Sequence, residues 1–181
     1  MTKFLLVLHV LVAIIAIGPV TVAASMFPPG ARRALADPGD PRATETVRLL
    51  HRICRVYAAI GIAVPVLGFA TALSMGVLDD AWLVVSMVLT GIAAAVLLAL
   101  VLPRQEEILE AVEAAGTVEA VEAAGSPSLP TSPPPSTSPS VPVVADPRAT
   151  VRLAMFTGIF NLLWATVTIL MIVRPGSTTG A

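Results

Sequence analysis

The chain has 181 residues, enough for one domain, and 56% of them are hydrophobic while only 13% are charged. A soluble domain carries roughly a quarter charged residues, so this chain cannot cover its apolar surface with polar groups, and lipid must be much of its solvent. The net charge of −1 argues against a nucleic-acid partner. Because Cys54 is the only cysteine, an intramolecular disulfide and a cysteine-rich metal cage are both excluded.

Four segments reach the roughly 20 apolar residues that a helix needs to cross the hydrocarbon core of a bilayer. Their approximate bounds are Phe4 to Met26, Ile53 to Met75, Ala81 to Leu102 and Leu153 to Val173. The interiors of these segments contain no Asp, Glu or Lys. The sequence therefore predicts an all-α fold, a four-helix transmembrane bundle with a disordered cytoplasmic loop between helices three and four.

The positions of the basic residues predict the side of the membrane that each loop occupies. Nine cations lie in or beside the loops 27–52 and 103–152, against two, Lys3 and Arg174, on the other side. We therefore expect a multi-pass protein of the plasma (inner) membrane, with both loops in the cytoplasm and both termini outside. A signal peptide cleaved before Ser25 is the alternative for the first segment, but it would place six arginines on the translocated side.

The sequence Asp-Pro-Arg-Ala-Thr occurs twice, at 40–44 and 146–150, each time before an outbound helix. An Asp side chain caps free backbone N–H groups and Pro fits the first helical turn, so each copy predicts a helix start. Duplication of a two-helix hairpin is the alternative explanation of the repeat.

The loop after the third segment has an acidic half and a proline-rich half. Its Glu/Ala repeat, at 110–116 and 119–125, predicts a helical extension of the third helix that frays at Gly116, with an acidic docking site for a basic partner as the alternative. Pro, Ser and Thr dominate 126–142, which predicts a disordered linker. The chain thus divides into helices one to three (1–105), the extension and linker (106–145), and helix four with a short outer tail (146–181).

Small residues recur at helical spacing in all four segments, as in helices that pack closely within a bilayer. Pro65 is expected to kink the second helix. The predicted packing faces are Ala13, Ala16, Val20 and Ala24 in the first helix, Gly61, Pro65, Gly68 and Ala72 in the second, Ser86, Thr90 and Ala94 in the third, and Gly158, Asn161, Ala165 and Thr168 in the fourth.

His9 and Asn161 are the most informative intramembrane residues, since a polar side chain that faces lipid is costly. We expect both to face the bundle interior, with a water or Thr168 between them across a gap of about 10 Å. These three residues form the candidate intramembrane polar site. A separate interhelical hydrogen bond made by His9 and by Asn161 is the simpler alternative.

His51 and Cys54 lie on one helical face, where they could serve as metal ligands. The simpler interpretation is an interfacial His beside a buried structural Cys. About 20 Å of bilayer should separate His51 from His9, so the two histidines cannot ligate one haem iron. His9 could still serve as a single axial ligand to a haem, or as a ligand to a metal ion.

Motifs of the common enzyme classes are missing from the sequence. It contains no P-loop, dinucleotide-binding glycine motif, H-E-x-x-H, C-x-x-C or G-x-S-x-G, and no carboxylate inside a predicted span. These absences disfavour an ATPase, a hydrolase and a carboxylate-coupled transporter. Gly18-Pro19 and Pro65 are the positions where transporter-like helix breaks would fall.

The first helix, with Leu8-His9-Val10 and Gly18, resembles the opening helix of a family of small four-helix bacterial membrane proteins without an assigned activity. The closing segment 170–175 and the arginines before the second helix, Arg48, Arg52 and Arg55, are similar as well. More remotely, a His in the first helix resembles the copper-resistance D-like and protoporphyrinogen-oxidase-like membrane bundles. That second resemblance implies His9 as a haem or metal ligand.

Three functions follow as hypotheses. The first is a non-enzymatic membrane protein with a packing or interaction role, whose partners are the lipid bilayer and a second copy or another membrane protein. The second is a haem- or metal-handling bundle that uses His9. The third is a small-molecule permease, which rests on the expected kinks and the Thr and Asn residues of the interior.

Overall fold

The computed structural model describes residues 2–125 and 147–175, and every element in these ranges is helical. The predicted linker 126–142 lies outside the described residues. The elements are α1 (Thr2–Ala36), α2 (Pro41–Gly61), α3 (Ala63–Met75), α4 (Ala81–Val96), a π-helical turn (Leu97–Val101), α5 (Leu102–Ala124) and α6 (Pro147–Val173).

These elements form four long helices: α1, α2 with α3, α4 with α5, and α6. Each of the four is long and apolar enough to cross a membrane. The all-α prediction with four such helices is therefore confirmed for the described part of the chain.

The long helices exceed the thickness of a bilayer. The first and the second each contain 35 residues, about 52 Å of helix against a hydrocarbon core of about 30 Å. The excess gathers at one end, where residues 27–36 of α1, 41–54 of α2 and 102–124 of α5 pack together. We call these segments the basal bundle, and we call the opposite end, where α1 and α4 begin and α3 and α6 end, the apical half.

A tight turn between α1 and α2 closes the basal bundle. The Asp40 carboxylate caps α2 by accepting from the backbone N–H of Arg42 at 2.9 Å, with Pro41 in the first turn. This geometry confirms the predicted helix start. α6 begins at Pro147, the second residue of the second copy of the same motif, and the expected cap Asp146 lies outside the described residues.

The acidic helix α5 continues to Ala124, so the predicted fraying at Gly116 is wrong. The cause is a tertiary contact: a Cβ atom on Gly116 would lie 3.3 Å from the Pro38 carbonyl oxygen of the α1–α2 turn. Gly39 faces α5 just as closely, with 3.1 Å between the position of a Cβ atom and Glu119 Oε1. This close approach outweighs the roughly 1 kcal/mol that a glycine costs inside a helix.

Two of the long helices change geometry just before a proline. Pro65 offers no N–H to the Gly61 carbonyl, and the helix is interrupted between Gly61 and Ala63. Ile62 keeps right-handed helical dihedrals at this break, and the predicted kink stays a prediction. Before Pro103 the helix widens into the π turn, in which the Leu102 N–H donates to the Leu97 carbonyl. Gly18-Pro19, the other expected interruption, lies inside an unbroken α1.

The π turn keeps one side of the α4–α5 helix buried along its length. In an ideal α-helix, two side chains that are twelve residues apart, such as those of Ala93 and Gln105, point in directions about 120° apart. The extra residue that a π turn accommodates removes about 100° of this difference. Both halves of this helix can therefore face the same neighbours. From Ala93 onward, its buried side consists of Ala93, Leu97, Val101, Gln105, Ile108 and Val112.

α1 is the central helix of the bundle, since it packs against α2, α3, α5 and α6, while α4 packs against α6. The main hydrophobic core runs without interruption from the basal bundle to Val20 and Phe160. Phe27 and Phe160 are the largest fully buried side chains among the described residues. A smaller cluster of Ala72, Trp82 and Leu83 lies at the apical end.

The predicted small-residue faces agree with the structure only in part. Ala16, Val20 and Ala24 of α1 are buried as expected, and so are Ala72 and Ser86. In α6 the expectation is wrong, because larger side chains form most of its buried side, and only one side of a close helix contact has to be small. α6 buries Leu153, Thr157, Phe160 and Val167, and it exposes Gly158, Ala165 and Thr168.

Candidate functional site

His9 lies in the apical half, and only 8% of its surface is exposed. Its Nδ1 is 3.1 Å from the Val64 carbonyl oxygen. A carbonyl can only accept, so Nδ1 carries the proton and donates it. Gly68 makes room for the ring, because a Cβ atom there would lie 3.0 Å from His9 Cε1. His9 therefore joins α1 to α3 directly beside the break in the second long helix.

Asn161 does not lie near His9. Its side-chain amide donates to Ser25 Oγ at 3.2 Å and so joins α6 to α1. Ser25 is about 24 Å from His9 along α1. Thr168 bonds within its own helix, to the Trp164 carbonyl at 2.9 Å. The structure thus does not assemble His9, Asn161 and Thr168 into one polar site. The prediction estimated the depth of each residue by counting from the end of its own apolar segment, and such a count cannot give the axial position of α6 relative to α1.

One side of α6 carries three buried polar atoms without a hydrogen-bond partner among the described residues: Thr157 Oγ1, Asn161 Oδ1 and Trp164 Nε1. Spacings of four and three residues place them on one side of the helix. Thr157 and Asn161 line a groove of about 190 Å³ between α1 and α6, together with Ser25 and Arg32. A groove of this size can hold the water molecules that such atoms need.

A fully buried amide, Gln105, connects the two residues of the predicted metal pair. Gln105 Oε1 lies 3.4 Å from His51 Nδ1, and its Nε2 lies 3.6 Å from Cys54 Sγ. Across the described residues, no three His, Cys, Asp or Glu side chains are grouped as a metal site would need. What the geometry supports at His51 and Cys54 is hydrogen bonding between α2 and α5.

Gln105 is the residue that sequence reasoning missed. It follows Pro103 in a stretch rich in charge, where a polar residue attracts no notice. Its spacing was the available signal, because it occupies the same helical side as Val101, Ile108 and Val112. A polar residue on an apolar stripe predicts burial with a hydrogen-bond partner.

The surface of the basal bundle carries a groove of about 500 Å³ between α2 and α5, which we call the arginine groove. The arginines that line it, Arg48, Arg52 and Arg55, are spaced four and three residues apart and so share one side of α2. The remaining lining residues are His51, Val56, Leu109 and Glu113. The groove therefore concentrates positive charge near the point where α2 enters its apolar part.

Among the described residues, Arg48 is the one arginine of these three that forms an ion pair. It donates to Glu113 Oε1 from Nε at 3.0 Å and from Nη2 at 2.7 Å, and it also pairs with Glu45. The hydrogen bonds that Arg48 donates to Glu113, with the charges of the Glu45 and Glu113 carboxylates, raise the pKa of Arg48 above its ordinary value. Over residues 2–125 and 147–175, no carboxylate lies within ion-pair distance of Arg52 or Arg55.

Comparison of the chain with protein-family models, curated proteins and solved structures found no match. The resemblance to small four-helix bacterial membrane proteins therefore stays a prediction. Two features of the geometry carry the functional argument instead: the distribution of apolar side chains over the surface, and the arginine groove.

Proposed function

We propose that the protein is a multi-pass integral membrane protein of the plasma (inner) membrane that acts without enzymatic activity, by binding other molecules through its basal bundle. The observation that carries this proposal is the apolar surface of the long helices. Phe4, Ile14, Leu162 and Ile172 are each more than 60% exposed. In water, a surface of this kind would far exceed the apolar patches that soluble monomers tolerate, whereas lipid solvates it.

The basal bundle has the opposite distribution. Phe27, Val47 and Val112 are fully buried there, while Arg33 and Arg48 are among the charged residues on its surface. This pattern is typical of helices that pack in water. A polar helical module attached to membrane-length helices supports a role in interaction.

The proposal places the basal bundle in the cytoplasm. The arginine-rich segment between the first and second long helices belongs to this end, and cytoplasmic loops carry an excess of Lys and Arg. The turn at the opposite end holds the acidic residues Asp79 and Asp80. Both termini then lie outside.

Cysteine accessibility tests insertion and orientation together. In a Cys54→Ala background, Asp79→Cys places a thiol in the α3–α4 turn, and Val118→Cys places one on the exposed side of α5. We expect a membrane-impermeant maleimide to label the first variant on intact cells and the second only after permeabilisation. The reverse labelling would overturn the orientation, and release of the protein by alkaline carbonate would overturn insertion.

Site-specific photocrosslinking tests the interaction role. Val121 lies on the exposed surface of α5, and Ile14 serves as the control in the apolar part of α1. We expect adducts with a second copy or another membrane protein at Val121, and adducts with lipid at Ile14. Two results together would contradict this proposal: no protein adducts at Val121, and a Soret band or stoichiometric metal in the purified protein that is lost in His9→Ala. They would favour the haem- or metal-handling bundle instead.

A further inference from the structure

We propose that the arginine groove binds the phosphate of an anionic phospholipid headgroup, which Arg52 and Arg55 hold between α2 and α5. The inference rests on the membrane insertion proposed above, because the ligand comes from the surrounding lipid. It adds a ligand class and a site to the proposed binding role.

The charge of the groove is the first argument. Its lining contains three guanidinium groups and one carboxylate, Glu113, which Arg48 already neutralises. Arg52 and Arg55 have no carboxylate partner in the part of the chain that the structure describes. An arginine can donate two parallel hydrogen bonds to phosphate oxygens, so these two side chains suit one phosphodiester.

The position of the groove along α2 is the second argument. The apolar segment of this helix begins at Ile53, so Arg52 and Arg55 lie at the level expected for lipid phosphates. Val56 lines the groove one turn beyond Arg52, and Ile60 continues the exposed apolar surface. A phospholipid presents its phosphate and its acyl chains in the same order. An acidic peptide in water would leave this apolar strip uncovered.

The third argument is that the groove is formed before any ligand arrives. The bond of 2.7 Å between Arg48 Nη2 and Glu113 Oε1 ties α2 to α5 at one end of the groove. Below the surface, Gln105 joins the same two helices through His51 and Cys54. A site that is already ordered loses less conformational freedom on binding.

Native mass spectrometry of the purified full chain in detergent tests the proposal. The probes are phosphatidylglycerol, which is anionic, and phosphatidylcholine with the same acyl chains, which is zwitterionic. We expect one retained phosphatidylglycerol per chain and at least about tenfold weaker binding of phosphatidylcholine. The double variant R52Q/R55Q should bind phosphatidylglycerol about 25-fold more weakly, since each arginine near the lipid surface contributes a factor of about five.

The matched control is R33Q/R42Q. Arg33 and Arg42 are also exposed basal arginines without an ion pair among the described residues, but neither lines the groove. We expect this variant to bind phosphatidylglycerol as the natural protein does. An equal loss in both double variants would reveal diffuse attraction and overturn the site. If circular dichroism shows that R52Q/R55Q has lost helix, the single variants replace it, each with an expected loss of about fivefold.

Competition distinguishes the lipid from other anions. Inorganic phosphate and a short polyglutamate peptide should leave phosphatidylglycerol bound, and displacement by either would overturn the lipid as ligand. The same protein also shows whether the lipid site alone is wrong or the proposed membrane insertion is wrong too. A protein that resists alkaline carbonate but retains no phosphatidylglycerol disproves the site alone, whereas a protein released by carbonate disproves membrane insertion as well.

Discussion

The basal bundle and the apical half belong to the same long helices, yet different contacts hold them together. The basal bundle buries large apolar side chains such as Phe27 and Val112. The apical half leaves large apolar side chains such as Phe4 and Ile172 exposed, and it contains the hydrogen bond from His9 to a backbone carbonyl. With the membrane insertion proposed above, the difference follows from the solvent, because an apolar side chain gains free energy by leaving water and gains little by leaving lipid.

This comparison indicates what stability depends on in each region. In the basal bundle, a substitution should lower the free energy of unfolding in proportion to the buried apolar area that it removes, or by leaving a buried polar group without its partner. In the apical half the free energy of unfolding should follow the fit between closely approaching backbones. Denaturant titration in detergent micelles, followed by circular dichroism, measures the free energy of unfolding for variants in either region.

Phe27→Ala should lower the free energy of unfolding by about 3–5 kcal/mol, because it removes a fully buried aromatic ring and leaves a cavity in the basal core. Phe4→Ala is the matched control in the apical half. Phe4 is 71% exposed, so the same substitution should change stability by less than about 0.5 kcal/mol. Equal effects at the two positions would remove the distinction between the regions.

Gln105→Ala should cost about 2–4 kcal/mol, because it leaves a cavity and deprives the buried His51 of its partner. Thr157→Val is the control: its buried hydroxyl has no partner among the described residues, so a replacement of the same shape should be nearly neutral or stabilising. The Cys54 thiol should also react faster with a small maleimide in the Gln105 variant. Similar stability of the two variants would mean that the Gln105 hydrogen bonds contribute nothing.

Gly68→Ala should destabilise the apical half by about 1–2 kcal/mol, because the new methyl group would lie 3.0 Å from His9 Cε1. Gly91→Ala, where a Cβ atom would meet nothing within 4 Å, should instead stabilise α4 by about 0.5–1 kcal/mol. The expected result is therefore two shifts of opposite sign. A shift of the same sign in both variants would contradict the close approach of α1 and α3.

The ion pair between Arg48 and Glu113 should contribute least, because both side chains are exposed and salt screens them. A double-mutant cycle with Arg48→Gln and Glu113→Gln should give a small coupling that disappears at high salt. The pKa of Arg48 is raised by folding, so its contribution is fully present below the ordinary arginine pKa and is lost only as the pH rises through the higher folded value. A coupling that already falls between neutral pH and pH about 9 would contradict this sign.

The parts of the fold that the sequence predicts well depend on neighbours along the chain. Length and hydropathy identify the four long helices, and no information about their partners is needed. The start of α2 at Asp40 and Pro41 is equally local, since a cap acts on N–H groups two or three residues away. The break before Pro65 follows from the same kind of reasoning.

The candidate site was predicted less well, because its residues meet across helices. His9 was expected near Asn161, yet Val64 and Gly68 surround it, while Asn161 bonds to Ser25. The register between two helices is set by the sum of their side-chain contacts, and no single segment contains that information.

Length, hydropathy and charge pattern were enough to predict the number of long helices, their apolar surfaces and the charge of the segments that join them. The contacts between helices, in contrast, establish that α5 continues past Gly116 against the α1–α2 turn, that Gln105 is buried between His51 and Cys54, and that Arg52 and Arg55 line an open groove. The physical reason is the range of the interactions. Helix formation and solvation act on residues within a turn or two, whereas burial and pairing depend on residues that the chain brings together from fifty or more positions away.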